Sequence, residues 1–214
     1  MPGSFARRLR EATWDDHEDA AEASYLHELT AGRLELDSYV LLVAQHHAIY
    51  TALEAAAPAM ARDPLVGQFV RDELTRLPAL EQDLAALLGP DWRSGLRTAS
   101  STADYVTRLE QVVAEGSATR YLAHHYVRYL GDLSGGLMIG PAVRRCYGLS
   151  GHAGTRFYVF EEIPDPAAFK DEYRRRLDQL PLSEPQRAEV LAEARHAYRL
   201  NRAVLADLDE LAAA

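Results

Sequence analysis

The chain contains 214 residues, 48% of them apolar and 26% charged, which is the composition of an ordinary globular protein. Its net charge of −9 and the absence of long Lys/Arg runs argue against a nucleic-acid partner. Cys146 is the only cysteine, so an intramolecular disulfide and a thiolate metal cage are both excluded. No apolar signal segment opens the sequence, and its longest uncharged stretch, residues 38–53, contains Gln45, His46 and His47. We therefore expect a cytoplasmic protein with no membrane span.

Apolar residues recur at helical spacing along almost the whole chain, and glycine, proline or a capping residue marks most boundaries. In chain order, helices are predicted over residues 4–31, 39–57, 65–76, 79–88, 102–115, 118–147, 166–180 and 184–211. The last begins with the capping-box pair Ser183 and Gln186. Residues 148–165 are rich in Gly and Pro and contain at most a short extended piece. No repeat or linker divides the chain, so the sequence predicts an all-α fold with a single domain over residues 1–214.

Glycines interrupt the predicted helix over residues 118–147, where Gly131, Gly135 and Gly136 follow one another closely. Each costs roughly 1 kcal/mol relative to alanine in a helix interior, so a compensating role is expected. Glycine lets another group approach the backbone, and Asp132 adds a carboxylate beside the bare peptide groups. One interpretation is close packing of another helix. The other is a site with ordered water, because a buried carboxylate needs partners.

Among the eight histidines, His17 has the surroundings most typical of a ligand-binding residue. Small residues on the neighbouring turns, among them Thr13, Ala20 and Ala21, leave room for a flat ligand. Arg10 lies on nearly the same helix face, roughly 10 Å away along the axis. This arrangement suits a macrocycle that carries carboxylates at its edge. The alternative is a partly exposed histidine in an acidic segment.

The other histidines give no metal-binding pattern. His46 and His47 are adjacent, as are His124 and His125, and adjacent residues on a helix point in different directions. Residues 193–196 read Glu-Ala-Arg-His, but a di-iron centre needs a second Glu-x-x-His, and the chain has none.

Several segments resemble the heme oxygenase family. The most specific is His-Tyr-Val-Arg-Tyr-Leu-Gly-Asp-Leu-Ser-Gly-Gly at residues 125–136. Others are Thr-Trp-Asp-Asp-His at residues 13–17, Ala-Ile-Tyr-Thr-Ala-Leu-Glu at residues 48–54, and Phe-Lys-Asp-Glu-Tyr-Arg at residues 169–174. The resemblance is collinear over nearly the whole chain. It implies a multi-helix fold that holds heme between a proximal helix and a kinked distal helix.

The resemblance also implies residue roles on the proximal side and at the edge of the heme. His17 matches the axial ligand of the heme iron. Arg10, Tyr126 and Arg174 match residues that hold the heme propionates, and Lys170 lies one turn before Arg174 on the same helix.

On the distal side, the resemblance implies that the backbone of three glycines lies over the iron: Gly131, Gly135 and Gly136. Asp132 matches the acid that organises distal water molecules. Two further residues match members of the distal hydrogen-bond network: Tyr50 and Arg128.

The family cleaves heme to biliverdin, CO and ferrous iron, so heme b is expected as both cofactor and substrate. The resemblance implies O2 and an electron donor as partners, either ferredoxin with its reductase or a flavoprotein reductase. Arg175 and Arg176, together with Lys170 and Arg174, form either a docking patch for that donor or a solvated helix face. The alternative function is a non-catalytic heme-binding protein for storage, transport or sensing.

Two positions depart from the family pattern. Many members place a glutamate four residues after the axial histidine, whereas this chain has Ala21 there, followed by Glu22. The family string usually continues Gly-Gly-Gln, and here Leu137 replaces the glutamine. The first departure leaves open what orients His17, and the second removes a polar contact.

Overall fold

The computed structural model of the protein describes residues 4–21 and 23–213, with side chains assigned for all of these except residues 19–21 and 213. This part of the chain contains helices and turns but no strand, which confirms the all-α prediction. The α-helices are α1 (Phe5–Ala12), α2 (Trp14–Ala21), α3 (Ser24–Thr30), α4 (Leu36–Ala55), α5 (Ala57–Met60), α6 (Leu77–Leu88), α7 (Ser100–Ala114), α8 (Ala118–His125), α9 (Gly131–Tyr147), α10 (Pro166–Gln179) and α11 (Glu184–Ala213). Single 3₁₀ turns lie at Gly67–Phe69, Asp72–Leu74, Trp92–Gly95 and Arg156–Tyr158, and a π-helical turn spans Tyr126–Leu130.

Helix α11 is the element against which many of the others pack, since it contacts α2, α3, α4, α7 and α8. The predicted capping box holds its first turn. The Gln186 amide donates to Ser183 Oγ at 3.4 Å, and the Ser183 amide donates to Gln186 Oε1 at 2.9 Å. Helix α4 lies beside α6, α7 and α11 and fully buries Tyr39, Ile49 and Tyr50 in the core. Within residues 4–21 and 23–213, no helix combines the length and the apolarity needed to cross a membrane.

The N-terminal region differs from the sequence prediction, because the single helix expected over residues 4–31 is broken twice. Thr13 ends α1, and its hydroxyl donates to the Leu9 carbonyl at 2.8 Å, in competition with the helical hydrogen bonds. Ala23, which precedes α3, has a non-helical ψ of 128°. Helix α2, which carries His17, is therefore a separate short element positioned by its contacts with α1 and α11.

The helix predicted over residues 65–76 is wrong as well. Asp63 Oδ1 accepts hydrogen bonds from the amides of Leu65 and Val66 at 2.8 and 3.1 Å, which favours a turn over a helix. Two 3₁₀ turns follow, and the extended residue Arg71 separates them. An α-helix begins again only at α6.

Helix α8, the π-helical turn and α9 run on as one interrupted helix, here called the glycine helix (residues 118–147), as the sequence predicts. Ser117 caps its start by accepting from the Arg120 amide at 3.4 Å. The π-helical turn lies immediately before Gly131, and such turns bend a helix. The glycine helix ends at Gly148, whose φ of +65° suits glycine.

An irregular segment, residues 148–165, follows the glycine helix and packs against it through the turn at Arg156–Tyr158. Asp83 of α6 fixes this turn by accepting from the amides of Arg156 and Phe157 at 2.7 and 2.8 Å. Arg76 adds a hydrogen bond from Nη1 to the Val159 carbonyl at 2.8 Å. The turn is thus held at a fixed place beside the glycine helix.

Candidate active site

A cavity of about 810 Å³, here called the main cavity, is lined by α2, α3, α4, α11 and the glycine helix. Six of the residues singled out in the sequence contribute to its lining: His17, Arg128, Gly131, Asp132, Gly135 and Gly136. The fold therefore brings the candidate ligand on α2 and the glycine-rich string of α9 to one space.

His17 is half-buried, and its ring packs against two aromatic side chains. Trp14 is stacked at a centroid distance of 5.8 Å, and Tyr198 lies edge-on at 6.0 Å. Its Nδ1 is buried without a hydrogen-bond partner among the described side chains. The side chains of Ala20 and Ala21 and all of Glu22 lie outside the described part of the chain, so only the aromatic rings are seen to orient the imidazole.

Unpartnered polar atoms are concentrated around the main cavity. Within the described residues, six buried side-chain nitrogen or oxygen atoms lack a hydrogen-bond partner, and five of them belong to residues that line this cavity. The five are His17 Nδ1, His46 Nδ1, Arg128 Nε, Arg128 Nη2 and the Tyr158 hydroxyl. Buried polar groups in folded proteins are almost always satisfied, so this cavity is chemically suited to a polar ligand together with ordered water.

The glycines of α9 divide into two faces with different surroundings. A Cβ at Gly131 would meet nothing within 4 Å, and one at Gly135 would meet only Ile139 Cδ1, at 3.6 Å. A Cβ at Gly136 would lie 3.2 Å from Tyr158 Cδ1, and one at Gly140 would lie 3.0 Å from Tyr158 Cβ. The two faces therefore differ: Gly131 and Gly135 are open, whereas Gly136 and Gly140 accommodate the Tyr158 ring, which comes from a turn and not from another helix.

Asp132 is the centre of a network of polar side chains beside the open glycines. The Tyr50 hydroxyl donates to its Oδ2, and Arg128 Nη2 lies 3.8 Å from the same oxygen. Arg128 Nη1 donates to Asn201 Oδ1 at 2.8 Å. Burial raises the pKa of Asp132, while the charge of Arg128 and the Tyr50 hydrogen bond oppose this rise. The carboxyl group is therefore closer to protonation than an exposed aspartate.

A second buried carboxylate lies behind this network. Glu54 accepts hydrogen bonds from the Arg76 amide at 2.6 Å, the Leu77 amide at 3.2 Å and the Tyr129 hydroxyl at 3.2 Å. Burial raises its pKa, and these three donors oppose the rise. The Tyr129 ring packs edge-on against Tyr50 at 5.5 Å, so Glu54 supports the wall that holds Tyr50.

The three residues matched to propionate binding, Arg10, Tyr126 and Arg174, are not among the described residues of the cavity lining, and neither is Lys170. Lys170 Nζ donates at 3.0 Å to the hydroxyl of Ser134, which does line the cavity. Burial raises the pKa of Tyr126, and the charges of Arg174 and Arg10 oppose this rise. The Arg10 guanidinium also lies over the Trp14 ring, 5.1 Å from its centroid.

The outer basic residues of α10 are paired within their own helix. Arg175 and Arg176 both bind Glu172, with Nε contacts of 2.9 and 2.7 Å. Arg174 Nη1 donates to Asp171 at 2.8 Å. Their charge is therefore partly compensated, which favours the interpretation of this run as a solvated helix face for its outer members.

Three polar residues of the site were not assigned a role from the sequence. Asn201 accepts a hydrogen bond from Arg128. His46 was discounted as one of an adjacent pair, although it lies one turn before Tyr50 on α4. Tyr158 lies in an irregular segment, where no periodicity indicates which side chains face the site.

Leu137, the departure from the family string, is 61% exposed.

Comparison with known proteins places the chain in a family. A sequence model described as heme oxygenase matches residues 3–207. The heme oxygenase of Porphyra purpurea is 35% identical over 209 residues, which cover 98% of this chain and 88% of that protein. The solved structure of heme oxygenase-1 from the cyanobacterium Synechocystis in complex with heme aligns with a TM-score of 0.92 at 31% identity, covering 99% of this chain and 95% of that chain. Heme oxygenase-2 from Synechocystis in complex with heme and NO also has a TM-score of 0.92, at 33% identity, with 98% and 86% covered. By sequence and by fold, the chain belongs to the heme oxygenase family.

Proposed function

We propose that the protein is a heme oxygenase that uses O2 and electrons from a reductase to cleave heme to biliverdin, CO and ferrous iron. The observation that carries this function is the main cavity itself, which joins His17 to the open backbone of Gly131 and Gly135 and to Asp132. Family membership and the two Synechocystis structures with heme support heme as both cofactor and substrate.

The residues around the cavity fit a heme in their chemistry. A porphyrin needs a ligand for its iron, an apolar environment for its faces and cations for its two carboxylates. His17 contributes a half-buried imidazole to the lining, and Val127, Ile139 and Leu205 are among the apolar lining residues. For the carboxylates, four residues near the cavity are proposed: Arg10, Tyr126, Lys170 and Arg174. Bound heme supplies the iron at which O2 is reduced and the ring that is cleaved.

On the distal side, the proposed role of Gly131 and Gly135 is to leave space that a side chain would fill. Asp132 would hold ordered water, which the 3.8 Å gap between its Oδ2 and Arg128 Nη2 supports. That gap is too long for a direct hydrogen bond, so a water molecule in contact with both groups would complete their hydrogen bonding. Tyr50 and Arg128 keep the carboxyl group in place, and its raised pKa suits a group that accepts a proton from solvent and passes it to bound water.

Lys170 reaches Ser134 of the cavity lining, and Arg174 lies one turn further along α10, so we propose that the electron donor, a ferredoxin or a flavoprotein reductase, docks on this face. The charges of Arg174, Arg175 and Arg176 are each partly compensated by an acid of the same helix, which gives these three a smaller part than Lys170. A cytoplasmic location and a single domain over residues 1–214 stay predictions.

The test is the visible spectrum of the purified chain with heme, O2 and a reductase system. We expect one heme bound per chain, followed by loss of the heme bands and appearance of biliverdin. A heme complex that stays intact under these conditions would contradict the enzymatic function and favour a storage or sensor protein. Absence of stoichiometric heme uptake would contradict both.

A further inference from the structure

Two polar groups of the main cavity have no part in the mechanism above: His46 Nδ1 and the Tyr158 hydroxyl. His46 comes from α4 and Tyr158 from the turn at Arg156–Tyr158. Both rings touch the ring of Phe157, with centroid distances of 4.8 Å for His46 and 5.0 Å for Tyr158. Both residues line the main cavity and pack on the same phenylalanine, and this part of the lining is here called one end of the cavity.

Packing explains the rings of these residues but not their polar atoms. The Tyr158 ring fills the space above Gly136 and Gly140, and a phenylalanine ring would fill it equally well. Tyr158 is 7% exposed, yet its hydroxyl has no partner among the described residues. The same holds for His46 Nδ1, where an apolar side chain would pack on Phe157 without burying a polar atom. An unsatisfied buried donor or acceptor is unfavourable, so a partner from solvent is expected.

Both groups have the chemistry to hold a water molecule. Burial and the charge of Arg128 lower the pKa of His46 well below its ordinary value, so the ring is neutral and offers one donor and one acceptor. A tyrosine hydroxyl likewise donates and accepts. Each of the two atoms exposes less than 1 Å², but both residues adjoin the main cavity of about 810 Å³, so a small displacement of either ring would admit a water molecule, which occupies about 30 Å³ in the liquid.

This end of the cavity is next to the Asp132 network. Tyr50, which donates to Asp132, lies one turn after His46 on α4, and its ring also packs edge-on against Phe157 at 5.5 Å. On the other side, the Tyr158 ring contacts Gly136, which lies one turn after Asp132 on α9. A water molecule between His46 and Tyr158 would thus adjoin the proposed site of proton delivery.

We propose that His46 and Tyr158 bind an ordered water molecule and act as positioning residues that extend the hydrogen-bond network of Asp132. This role rests on the proposed function for its catalytic meaning, whereas the water site exists in the heme-free protein. The two polar groups hold a water molecule at this end of the cavity, and that water molecule adjoins the hydrogen-bond network of Asp132.

The first experiment is a high-resolution crystal structure of the heme-free protein and of two variants, Tyr158→Phe and Tyr39→Phe. Tyr39→Phe is the matched control, because the buried Tyr39 hydroxyl already donates to the Gly154 carbonyl at 2.6 Å. We expect a water molecule within hydrogen-bond distance of both His46 Nδ1 and the Tyr158 hydroxyl, lost in Tyr158→Phe and kept in Tyr39→Phe. An empty site in the wild-type crystal, or a water molecule that Tyr158→Phe leaves in place, would overturn the proposal.

The second experiment measures biliverdin formed per O2 consumed by the heme complex. His46→Leu and Tyr158→Phe should each lower this ratio about fivefold, the factor that corresponds to one hydrogen bond of roughly 1 kcal/mol. His46→Asn should restore it, because the asparagine amide reaches the position of Nδ1. Unchanged ratios in both variants would refute the link to Asp132. Failure of the wild type to cleave heme would instead refute the proposed function, and the crystal structures would still decide on the water site.

Discussion

His17 is the residue that we propose as the ligand of the heme iron in this cavity. His17→Ala should remove the axial nitrogen, shift the visible spectrum of the heme complex and reduce turnover to near background. Added imidazole should restore part of the activity, because the vacated space lies between Trp14 and Tyr198. His152→Ala, an exposed histidine outside the main cavity, is the matched control. A spectrum that His17→Ala leaves unchanged would assign the ligand to another residue.

Asp132 is the residue that should decide between ring cleavage and other oxidations. Asp132→Ala removes the acceptor for Tyr50 and the anchor for water, so biliverdin formation should fall by about a hundredfold, a factor typical of a lost general acid or base. Peroxidase-like oxidation of an added phenol should rise at the same time. Asp132→Asn keeps a hydrogen-bonding group, so its rate of biliverdin formation should lie between that of the wild type and that of Asp132→Ala. A normal biliverdin yield from Asp132→Ala would contradict the water-network mechanism.

Asp83 gives the fold a dependence on pH that is separate from catalysis. Burial raises its pKa from 3.8 to about 6, so the native state holds a proton that the unfolded chain has already released between these values. The contribution of Asp83 to the free energy of unfolding should therefore be greatest below about pH 4. It should fall by about 3 kcal/mol as the pH rises through 6. Urea unfolding of the heme-free protein across this range measures the effect. Asp83→Asn should remove it, and an identical pH profile for the variant would show that the carboxyl group titrates normally.

The sequence indicates some residues of the site but not others. The family string gives Asp132 and its neighbours directly, because their roles depend on the local backbone. His46 and Tyr158 were missed, since whether a polar atom finds a partner depends on side chains from α4, α9 and the turn at Arg156–Tyr158 together. No spacing rule along one helix contains that information.

At the scale of elements, α9 has an open glycine face and a packed one, and alanine substitutions should separate them. Gly135→Ala should stabilise the heme-free protein by up to about 1 kcal/mol, because alanine favours the helix and its Cβ meets only Ile139. Gly140→Ala should destabilise it by roughly 1–2 kcal/mol, because its Cβ would crowd Tyr158. Urea unfolding provides both values.

For heme affinity, Gly135→Ala should be the more harmful of the two substitutions, which is the opposite of their order for stability. The Gly135→Ala methyl group would occupy cavity space, and crowding worth about 1.4 kcal/mol would weaken heme affinity about tenfold. Gly140 is not among the described residues of the cavity lining, so Gly140→Ala should bind heme with nearly wild-type affinity once folded. Equal effects of the two substitutions on both measurements would contradict the division into two faces.

Helix prediction succeeded where the signal is local and failed where side chains compete with the helix. The capping box of α11 and the start of the glycine helix at Ser117 were both correct, because a cap acts within one turn. The break at Thr13 and the turn at Asp63 depend on side-chain hydrogen bonds to the backbone, and apolar spacing does not register these.

At the scale of the whole molecule, the active site is assembled from distant parts of the chain. Arg128 and Asn201 are 73 residues apart, and Tyr50 and Asp132 are 82 apart, yet each pair is joined by a hydrogen bond. The all-α class followed from composition and periodicity. The arrangement of helices that makes these contacts followed only from the family resemblance, because no local pattern states which helices meet.

The turn at Arg156–Tyr158 is fixed by hydrogen bonds and separates the irregular segment from α9, which lines the cavity. Asp83 and Arg76 fix its height, and the Tyr158 ring sets the separation between this turn and α9. The width of the cavity beside α9 thus depends on a residue outside the glycine string. In this architecture, a change in ring size at residue 158 retunes the room given to the substrate while every glycine of the string stays unaltered.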